Sequence, residues 1–554
     1  MNLKELRLQA DQLFGNRTTL MMLWQEIAEN FYPERADFTY KRTLGTEFAQ
    51  NLMTSYPLLC RRDLGDSMET MLRNTAKPWF HMTTTDPSIE DNEARQWMQW
   101  AEVVQRRAMY DRVTKFTRAT KEGDHDWAAF GQTALSVRMN KNRDALLYRC
   151  WHLRDMAWME NEDGTICMYA RKWKARAYDL LLMFGKEALH NEVKKALDKG
   201  EPFTEFDTYH IVCHADLYNA TGDEKKKARD MPWRSVYYDC ANDHPMENIP
   251  TWNREYMVPR WQTVSGSQYA YSPATVAALP DGRLLQAMTY TLLEAGEKIV
   301  NPPIVATQDV IRSDIGLYAG GITWVDRDYD EKLGDALRPL TQDARGMPLS
   351  AEMQRECRSM LMQAFYLNKL SLPQRAPEMT AYEVGQRVQE YIRGALPLFA
   401  PMEVEYNGEL CELTFEILQR EGAFGSPFAL PRSLRGADIR FRFESPLHDA
   451  IEQQKGQKFL EAKTYIAEAM ALDPSAAVVV DSPVALRDVL NGVGVPAKWM
   501  RTETTVKQAQ DAQKAAQESQ ALLAAMQQGS EVAANLGAAQ RDMAAPAPAA
   551  AAAL

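Results

Sequence analysis

The sequence lacks any long hydrophobic run. Apolar stretches in its 554 residues, such as Ala476 to Val480, are far shorter than the roughly 20 residues that span a bilayer. The polar, charged start MNLKELRLQADQ has no apolar signal-peptide region. We therefore expect that the protein does not associate with membranes and that it assembles in a cytosolic compartment.

Cysteine and positive charge are also scarce. Seven cysteines are scattered between Cys60 and Cys411 without a CxxC pair, so the sequence shows no disulfide framework and a reducing compartment is expected. The formal net charge is −11. Because phosphate affinity comes mainly from Lys and Arg contacts, this charge argues against nucleic-acid binding through the bulk surface.

The common signatures of enzymes are absent. The sequence contains no P-loop, GxSxG, HExxH or GxGxxG pattern. The sequence therefore predicts no catalytic residues, no bound cofactor and no metal site, and we expect that the protein is not an enzyme.

Three clusters could nevertheless carry chemistry. His210, Cys213 and His214 precede Cys240 and His244, and a hairpin could join them as a zinc site, although their spacing matches no standard motif. A metal-dependent enzyme that uses this cluster is therefore one alternative function, and a monomeric helical assembly adaptor is another.

The other two clusters are acidic. The segment DHDW at 124–127 is interpreted as the acidic start of a helix, which complements the helix dipole. The acidic segment at 326–335 departs from the EF-hand spacing and is interpreted as a solvated loop. Neither is predicted to bind a metal.

Hydrophobic periodicity predicts an α+β protein that is mainly helical. Up to about Gly123 the chain shows helical spacing, first in Leu3–Phe14 and Thr19–Phe31. From about Leu146 to Cys240, short strand patterns alternate with two helices that end at glycines. A brief strand is expected at Arg440–Phe443.

The middle of the chain predicts two matched helices around a small insert. One helix runs from about Asp281 to Val300 and is halted by two prolines, and the second begins near Ser350. A further helix starts at Thr380, which forms a T-x-x-E capping box with Glu383. Two prolines inside that helix, Pro397 and Pro401, predict a kink or break.

Several stretches of the chain resemble the motifs of one known family. In chain order they are WQEIAENFYPER, AKPWFHM, YMVPRW, YSPATVAALPDGRLLQ, NPPIV, MTAYEV, LTFEILQREG, ESPLHDA and GVPAKWMR, from Trp24 to Arg501. Their sequence and order resemble the portal proteins of tailed bacteriophages, specifically the head-to-tail connectors of short-tailed phages.

The resemblance implies a ring of about twelve subunits at one capsid vertex. Such a ring packages double-stranded DNA, retains the genome, attaches the tail and later releases the genome. The implied partners are other copies of the chain, terminase, the major capsid protein, scaffolding protein and tail or adaptor proteins. The implied location is the virion, after assembly in the host cytoplasm.

The resemblance also implies a division of the chain into the portal domains. In those terms the segments are the wing (1–280), a first stem helix (281–300), the clip (301–349), a second stem helix (350–370), the tunnel loop (371–379), a kinked helix returning to the wing (380–445), the crown (446–529) and a disordered Ala/Pro-rich tail (530–554).

The resemblance places Lys369, Gln374 and Arg375 in or beside the DNA channel. About twelve helices at roughly 9 Å spacing would leave a lumen of roughly 24 Å, which admits B-form DNA. An acidic wall with sparse positive charge would let the duplex slide. Alternatively, Lys369 and Arg375 are solvated surface charges.

Overall fold

The structure, a computed structural model, describes residues 2–41, 43, 45, 52–73, 75, 78–86, 89–218, 231–300, 302, 304–306, 337–339, 347–370, 400–425, 430–443, 463–464 and 511–520, with scattered positions between 486 and 509. The chain divides into two compact units. The first comprises Met1–His81, Glu102–Gly425 and Phe441–Ile451, and the second comprises Met82–Ala101, Ser426–Arg440 and Glu452–Leu554. The features analysed in detail below lie in the first unit.

Eleven α-helices have both ends assigned within the described residues. They are α1 (Leu3–Gly15), α2 (Thr18–Phe31), α3 (Tyr56–Leu72), α4 (Asn92–Met109), α5 (Phe116–Phe130), α6 (Ala177–Phe184), α7 (Asn191–Asp198), α8 (Pro273–Val300), α9 (Met347–Ala364), α10 (Leu367–Leu370) and α11 (Glu409–Arg420). The two predicted N-terminal helices are confirmed as α1 and α2. Helix α1 begins with a capping box, in which Asn2 and Glu5 each accept a hydrogen bond from the other's backbone N–H at 2.9 Å.

Fourteen strands are described. They are β1 (Phe80–Thr84), β2 (Ala134–Met139), β3 (Leu146–Trp151), β4 (Met156–Glu160), β5 (Ile166–Arg176), β6 (Glu205–His214), β7 (Trp233–Asp239), β8 (His244–Thr251), β9 (Tyr256–Met257), β10 (Gln262–Thr263), β11 (Ala270–Tyr271), β12 (Ile304–Ala306), β13 (Leu337–Pro339) and β14 (Ile439–Phe443). Together with the helices they confirm the predicted α+β class. The brief strand predicted at Arg440–Phe443 is β14.

The largest sheet is an antiparallel meander in the order β4-β5-β6-β7-β8. Adjacent residues of a strand face opposite sides of a sheet, and the two sides carry separate apolar cores. Tyr238 packs in a core with Leu6, Ala10 and Leu13 of α1. Tyr237 packs in a second core with residues of α6 and α7. Helices therefore cover both faces of this sheet.

A smaller sheet has the order β3-β2-β9. The strands predicted between Leu146 and Cys240 are confirmed as β3, β5, β6 and β7, but the sequence patterns missed β2, β4 and β8. The predicted helical boundary at Gly123 is wrong, because Gly123 lies inside α5 and β1 interrupts the preceding helices. A Cβ at Gly123 would lie 2.3 Å from the Tyr406 hydroxyl oxygen, so a larger residue there would have to displace that side chain.

Helix α5 carries buried carboxylates rather than an acidic start. Asp124 and Asp126 lie in its second half, so the interpretation of DHDW as a helix start is wrong. Asp126 accepts a bidentate pair of hydrogen bonds from Arg35, at 3.0 and 2.9 Å. Asp124 forms an ion pair with Arg73, and both side chains are almost fully buried. These charges compensate each other in the interior, where an unpaired charge would cost several kcal/mol.

Between the two aspartates, His125 points toward α3. Its Nδ1 lies 2.9 Å from Arg61 Nη1, and a Cβ on Gly65 would lie 2.3 Å from the same ring nitrogen. Burial, together with the positive charge of Arg61, lowers the pKa of His125 from its usual 6.5 to about 4. The imidazole is therefore neutral in the folded protein at neutral pH.

The C-terminus of α5 is joined to the start of α8 by hydroxyl groups. Ser272 Oγ donates to the Ala128 carbonyl at 2.8 Å, and Thr275 Oγ1 donates to the Ala129 carbonyl at 2.8 Å. These bonds satisfy carbonyls that the end of a helix leaves unpaired. Gly131 ends α5 with a left-handed φ of +73°, and a Cβ there would lie 2.1 Å from the Tyr271 carbonyl carbon. Only glycine fits this junction.

The neutral state of His125 predicts a pH-dependent stability. Below pH 6.5 the unfolded chain binds a proton that the folded chain accepts only near pH 4, so stability should fall as the pH drops through this window. We expect wild type to lose about 2 to 3 kcal/mol more than His125→Gln between pH 7 and 4. Urea unfolding at both pH values measures this difference. Equal pH dependence in the two proteins would contradict it.

The α5–α8 junction predicts that Gly131→Ala destabilises the protein. The new Cβ would clash with backbone atoms and impose left-handed strain, so we expect a loss of at least about 3 kcal/mol in the free energy of unfolding. Gly422→Ala is the matched control, because Gly422 has φ +76° and no atom lies within 4 Å of the position that a Cβ would take. The control should lose only about 1 kcal/mol. Similar losses in both variants would show that the close approach is unimportant.

Candidate functional site

Helix α8 is buried at its base and exposed along its far half. Its 28 residues span about 42 Å, and every buried residue lies at or before Leu285. No residue from Gln286 to Val300 is buried. The helix begins at Pro273 rather than at the predicted Asp281 and continues through Pro280, whose ring is exposed to solvent. Because Pro280 lies inside the helix without ending it, the sequence-based prediction placed the helix start about two turns too late.

Three contacts anchor the middle of α8 to helix α2 and to the segment that contains Met53 and Thr54. Gln286 accepts hydrogen bonds from the backbone N–H groups of Met53 and Thr54 at 2.7 and 2.9 Å, and donates to the Thr54 carbonyl at 2.9 Å. Arg283 forms an ion pair with Glu26 of α2. At Gly282 a Cβ would lie 3.1 Å from the Phe31 ring. The exposed half of α8 therefore starts from a fixed position.

Helix α9 packs against α8. Gln354 Nε2 lies 3.4 Å from Thr289 Oγ1, and the residue after the helix, Phe365, contacts the same Phe31 ring that lies beside Gly282. The buried residues Gln354, Cys357, Leu361 and Phe365 follow helical spacing along one face. Both predicted helices are present, but they are not matched in length: α8 has 28 residues and α9 has 18, from Met347 to Ala364 rather than over 350–370.

Both helices expose large apolar side chains on their remaining faces. The exposed fraction is 56% for Tyr290, 58% for Leu293, 64% for Leu349 and 46% for Met353. Other exposed members of this set are Ile299, Val300, Met360 and Met362. Contiguous exposed apolar patches are typical of surfaces that contact other proteins.

The connection between α8 and α9 begins and ends as a β-ribbon. Strands β12 and β13 pair antiparallel, with Ile304 opposite Pro339 and Ala306 opposite Leu337. Residues 307–336, including the acidic segment 326–335, lie outside the described residues. The described ends of the predicted insert therefore form a two-stranded ribbon.

Of the predicted channel residues, the structure describes Lys369. It lies in α10, after a break in which Tyr366 has a left-handed φ of +58°, so the second helix does not continue unbroken to 370. Its side chain is exposed, with Nζ 5.6 Å from the Tyr366 ring centroid. Gln374, Arg375, the capping pair Thr380 and Glu383, and Pro397 lie outside the described residues, and their roles stay predictions.

The chain before residue 400 lies outside the described residues, so the predicted kink or break at Pro401 stays a prediction. Pro401 has helical dihedral angles, φ −63° and ψ −34°, and a π-helix follows it at Met402–Gly408. Side chains of the π-helix are held by the body of the protein. Asn407 accepts a hydrogen bond from Arg73 at 2.8 Å, and the Tyr406 hydroxyl donates to the Thr120 carbonyl at 3.3 Å. Helix α11 follows directly and contains most of the LTFEILQREG stretch.

The suspected zinc cluster consists of hydrogen-bonded strand residues. His210 Nδ1 lies 2.6 Å from the Tyr256 hydroxyl, and Nε2 lies 2.9 Å from Ser235 Oγ. His244 Nε2 donates to the Ala188 carbonyl at 3.1 Å. Within the described ranges, no three His, Cys, Asp or Glu residues are grouped as metal ligands would be.

Sequence reasoning missed two sets of polar residues, one around α5 and one on β3 and β5. The ion pairs of α5 join residues far apart in the chain, and no local signal marks them. A set of arginines beside tryptophans in β3 and β5 did carry a signal, since both strands contain the pattern Arg-x-Trp at Arg149–Trp151 and Arg171–Trp173.

Among the described helices, none is long and apolar enough to cross a membrane.

Comparison with known proteins places this architecture in a family. The model of the family described as bacteriophage head to tail connecting protein matches residues 3–501. The chain is 26% identical over 447 residues to the probable portal protein of Bordetella phage BPP-1, covering 79% of this chain and 78% of that protein. It is 22% identical over 525 residues to the portal protein of Salmonella phage epsilon15, covering 91% of each.

A solved structure of the virion of a native gene transfer agent particle contains a chain with 11% identity and a TM-score of 0.30 to this one, covering 79% of this chain and 94% of that one. The family match extends over nearly the whole sequence and includes both α8 and α9. The chain belongs to the bacteriophage head-to-tail connecting proteins, the portal proteins of the phage virion.

Proposed function

We propose that this portal protein forms a closed ring of about twelve subunits at one capsid vertex, and that double-stranded DNA passes through the ring during packaging and ejection. The observation that carries the proposal is the exposed apolar surface of α8 and α9. A single chain leaves Tyr290, Leu293 and Met353 in solvent, whereas a neighbouring copy would cover them.

In this proposal the helix pair forms the stem of the ring. The segment between α8 and α9 is then the clip, which meets terminase and later the tail. The chain before α8 forms most of the wing, and the chain after about residue 446 forms the crown inside the head, ending in the Ala/Pro-rich tail. Capsid and scaffolding proteins would contact the outside of the ring. The protein acts as a conduit and has no catalytic role in this proposal.

The charge of the helix pair suits a channel through which DNA slides. Helices α8 and α9 carry five acidic residues, Asp281, Glu294, Glu297, Glu352 and Glu356, and four basic residues, Arg283, Lys298, Arg355 and Arg358. The near balance provides no array of basic contacts that would hold phosphates. The sparse positive charge proposed to touch DNA lies beyond the helices, at Lys369 and Arg375.

The ring proposal predicts a mass of about twelve chains by native mass spectrometry. Replacing two exposed apolar residues, Leu293→Glu and Met360→Glu, should release folded subunits, because charged groups would be buried between copies. Leu8→Glu is the control, since Leu8 is 56% exposed on α1 and lies outside the helix pair. Mainly monomer in the wild type at micromolar concentration would contradict the ring and favour the adaptor alternative.

The channel proposal predicts that Lys369→Glu with Arg375→Glu leaves ring assembly intact but lowers the amount of packaged DNA severalfold. About twelve copies of the change would place repulsive charge beside the moving duplex. DNA per particle in a complementation assay measures the effect. The control is the double change Lys174→Glu and Lys199→Glu, at two exposed lysines in the region of the large sheet. Normal DNA content in particles that contain the Lys369/Arg375 variant would remove both residues from the channel.

A further inference from the structure

Strands β3 and β5 present the same residue pattern at the junction of the two main sheets. Strand β3 carries Arg149 and Trp151, and β5 carries Arg171 and Trp173. Residues two apart share a face of a strand, so each strand presents one arginine and one tryptophan on the same side. The strands belong to different sheets, and their side chains meet where the sheets adjoin.

The four side chains form an alternating stack. The Arg149 Cζ lies 4.1 Å from the centroid of the Trp151 ring, and the Arg171 Cζ lies 3.9 Å from the centroids of both Trp151 and Trp173. Both guanidinium groups therefore lie against the Trp151 ring. Stacking uses the flat faces of each guanidinium and leaves its N–H groups, which lie in the plane, free to donate.

Neither stacked arginine forms an ion pair among the described residues. Arg171 is only 8% exposed, and its buried Nε has no hydrogen-bond partner. No hydrogen bond to either guanidinium is formed within the described part of the chain. An arginine that is buried without a paired carboxylate is costly, and such a group usually signals a ligand or a functional demand.

Most other charges around the stack are already matched. Arg138 pairs with Glu255 at 3.5 Å, Arg35 pairs with Asp126, and Asp155 pairs with Arg154. Asp179 is exposed at the rim. Burial, together with the guanidiniums of Arg171 and Arg138, lowers the pKa of Arg149 below its usual value. The site therefore holds unbalanced positive charge.

These residues line an open pocket of about 600 Å³. Arg35, Arg138, Arg149 and Arg171 contribute to its wall with Trp151 and Trp173, and Leu182 and Met183 of α6 also line it. The volume falls within the range of small-ligand sites, so an anionic group could enter and reach the stacked guanidiniums.

We propose that this pocket binds a phosphate group through the guanidinium groups of Arg149 and Arg171. Guanidiniums reach the pocket from two sheets, which suits an oxoanion that accepts hydrogen bonds from several directions. A carboxylate is planar and is satisfied by one guanidinium fork, and the pocket is larger than such a group requires. The phosphate could be free inorganic phosphate or belong to a nucleic-acid backbone, and both present the same oxygens.

The first test is calorimetric titration of the full-length protein with inorganic phosphate at low ionic strength. We expect saturable binding that Arg149→Gln weakens at least about tenfold, since it removes a charge-assisted donor. Arg171→Lys keeps the charge but loses the planar fork, and it should also weaken binding. Arg176→Gln is the matched control, because Arg176 is exposed on β5 outside the pocket and should leave binding unchanged.

The Arg149 side chain is only partly buried, so Arg149→Gln should keep a thermal unfolding temperature close to that of the wild type and separate a binding role from a structural one. A second titration with a short oligonucleotide lacking terminal phosphates distinguishes the two sources. If the oligonucleotide binds and Arg149→Gln weakens that binding, the ligand is the nucleic-acid backbone. If inorganic phosphate binds and the oligonucleotide does not, the ligand is a small anion. The proposal fails if wild type shows no saturable phosphate binding, if Arg149→Gln binds normally, or if a glutamate-rich peptide displaces phosphate at lower concentration.

Discussion

The architecture depends on the joint between the end of α5 and the start of α8. Two hydroxyls, from Ser272 and Thr275, satisfy carbonyls at the end of α5, and Gly131 lets the two backbones approach. A long helix that is exposed along its far half cannot set its own direction. This joint sets it, because the base of α8 is bonded to a helix that is itself buried in the body of the protein.

Helix α5 is in turn positioned by charge rather than by apolar packing alone. Asp124 and Asp126 pair with Arg73 and Arg35, and Arg73 also donates to Asn407 of the π-helix. Buried ion pairs contribute little net stability compared with apolar substitutes, but breaking one of them is costly. They therefore act as constraints of geometry, and they link α5 to segments that lie both before it and far after it in the chain.

The elements set by local patterns could be predicted from the sequence, and those set by distant contacts could not. The periodicity of α1, α2, α9 and α11 identified these helices, and the resemblance of ordered motifs identified the family. The α8 start was wrong because a proline is tolerated at an exposed helical position such as Pro280. The role of DHDW was wrong because its partners, Arg73 and Arg35, lie in other helices and turns. Arg149 and Arg171 belong to a repeated Arg-x-Trp pattern that is visible in the sequence. The pocket itself forms only because the two sheets that carry them adjoin in the fold.

The composition of the exposed face of α9 has a consequence for how neighbouring subunits would meet. Three of its exposed apolar residues are methionines, Met353, Met360 and Met362. Methionine is unbranched and polarisable, so it repacks against a changing surface at small cost. In the proposed ring, such a seam would allow adjacent stems to rotate slightly without losing contact. The same thioethers can be oxidised to polar sulfoxides, which would make subunit association sensitive to oxidants before assembly buries them.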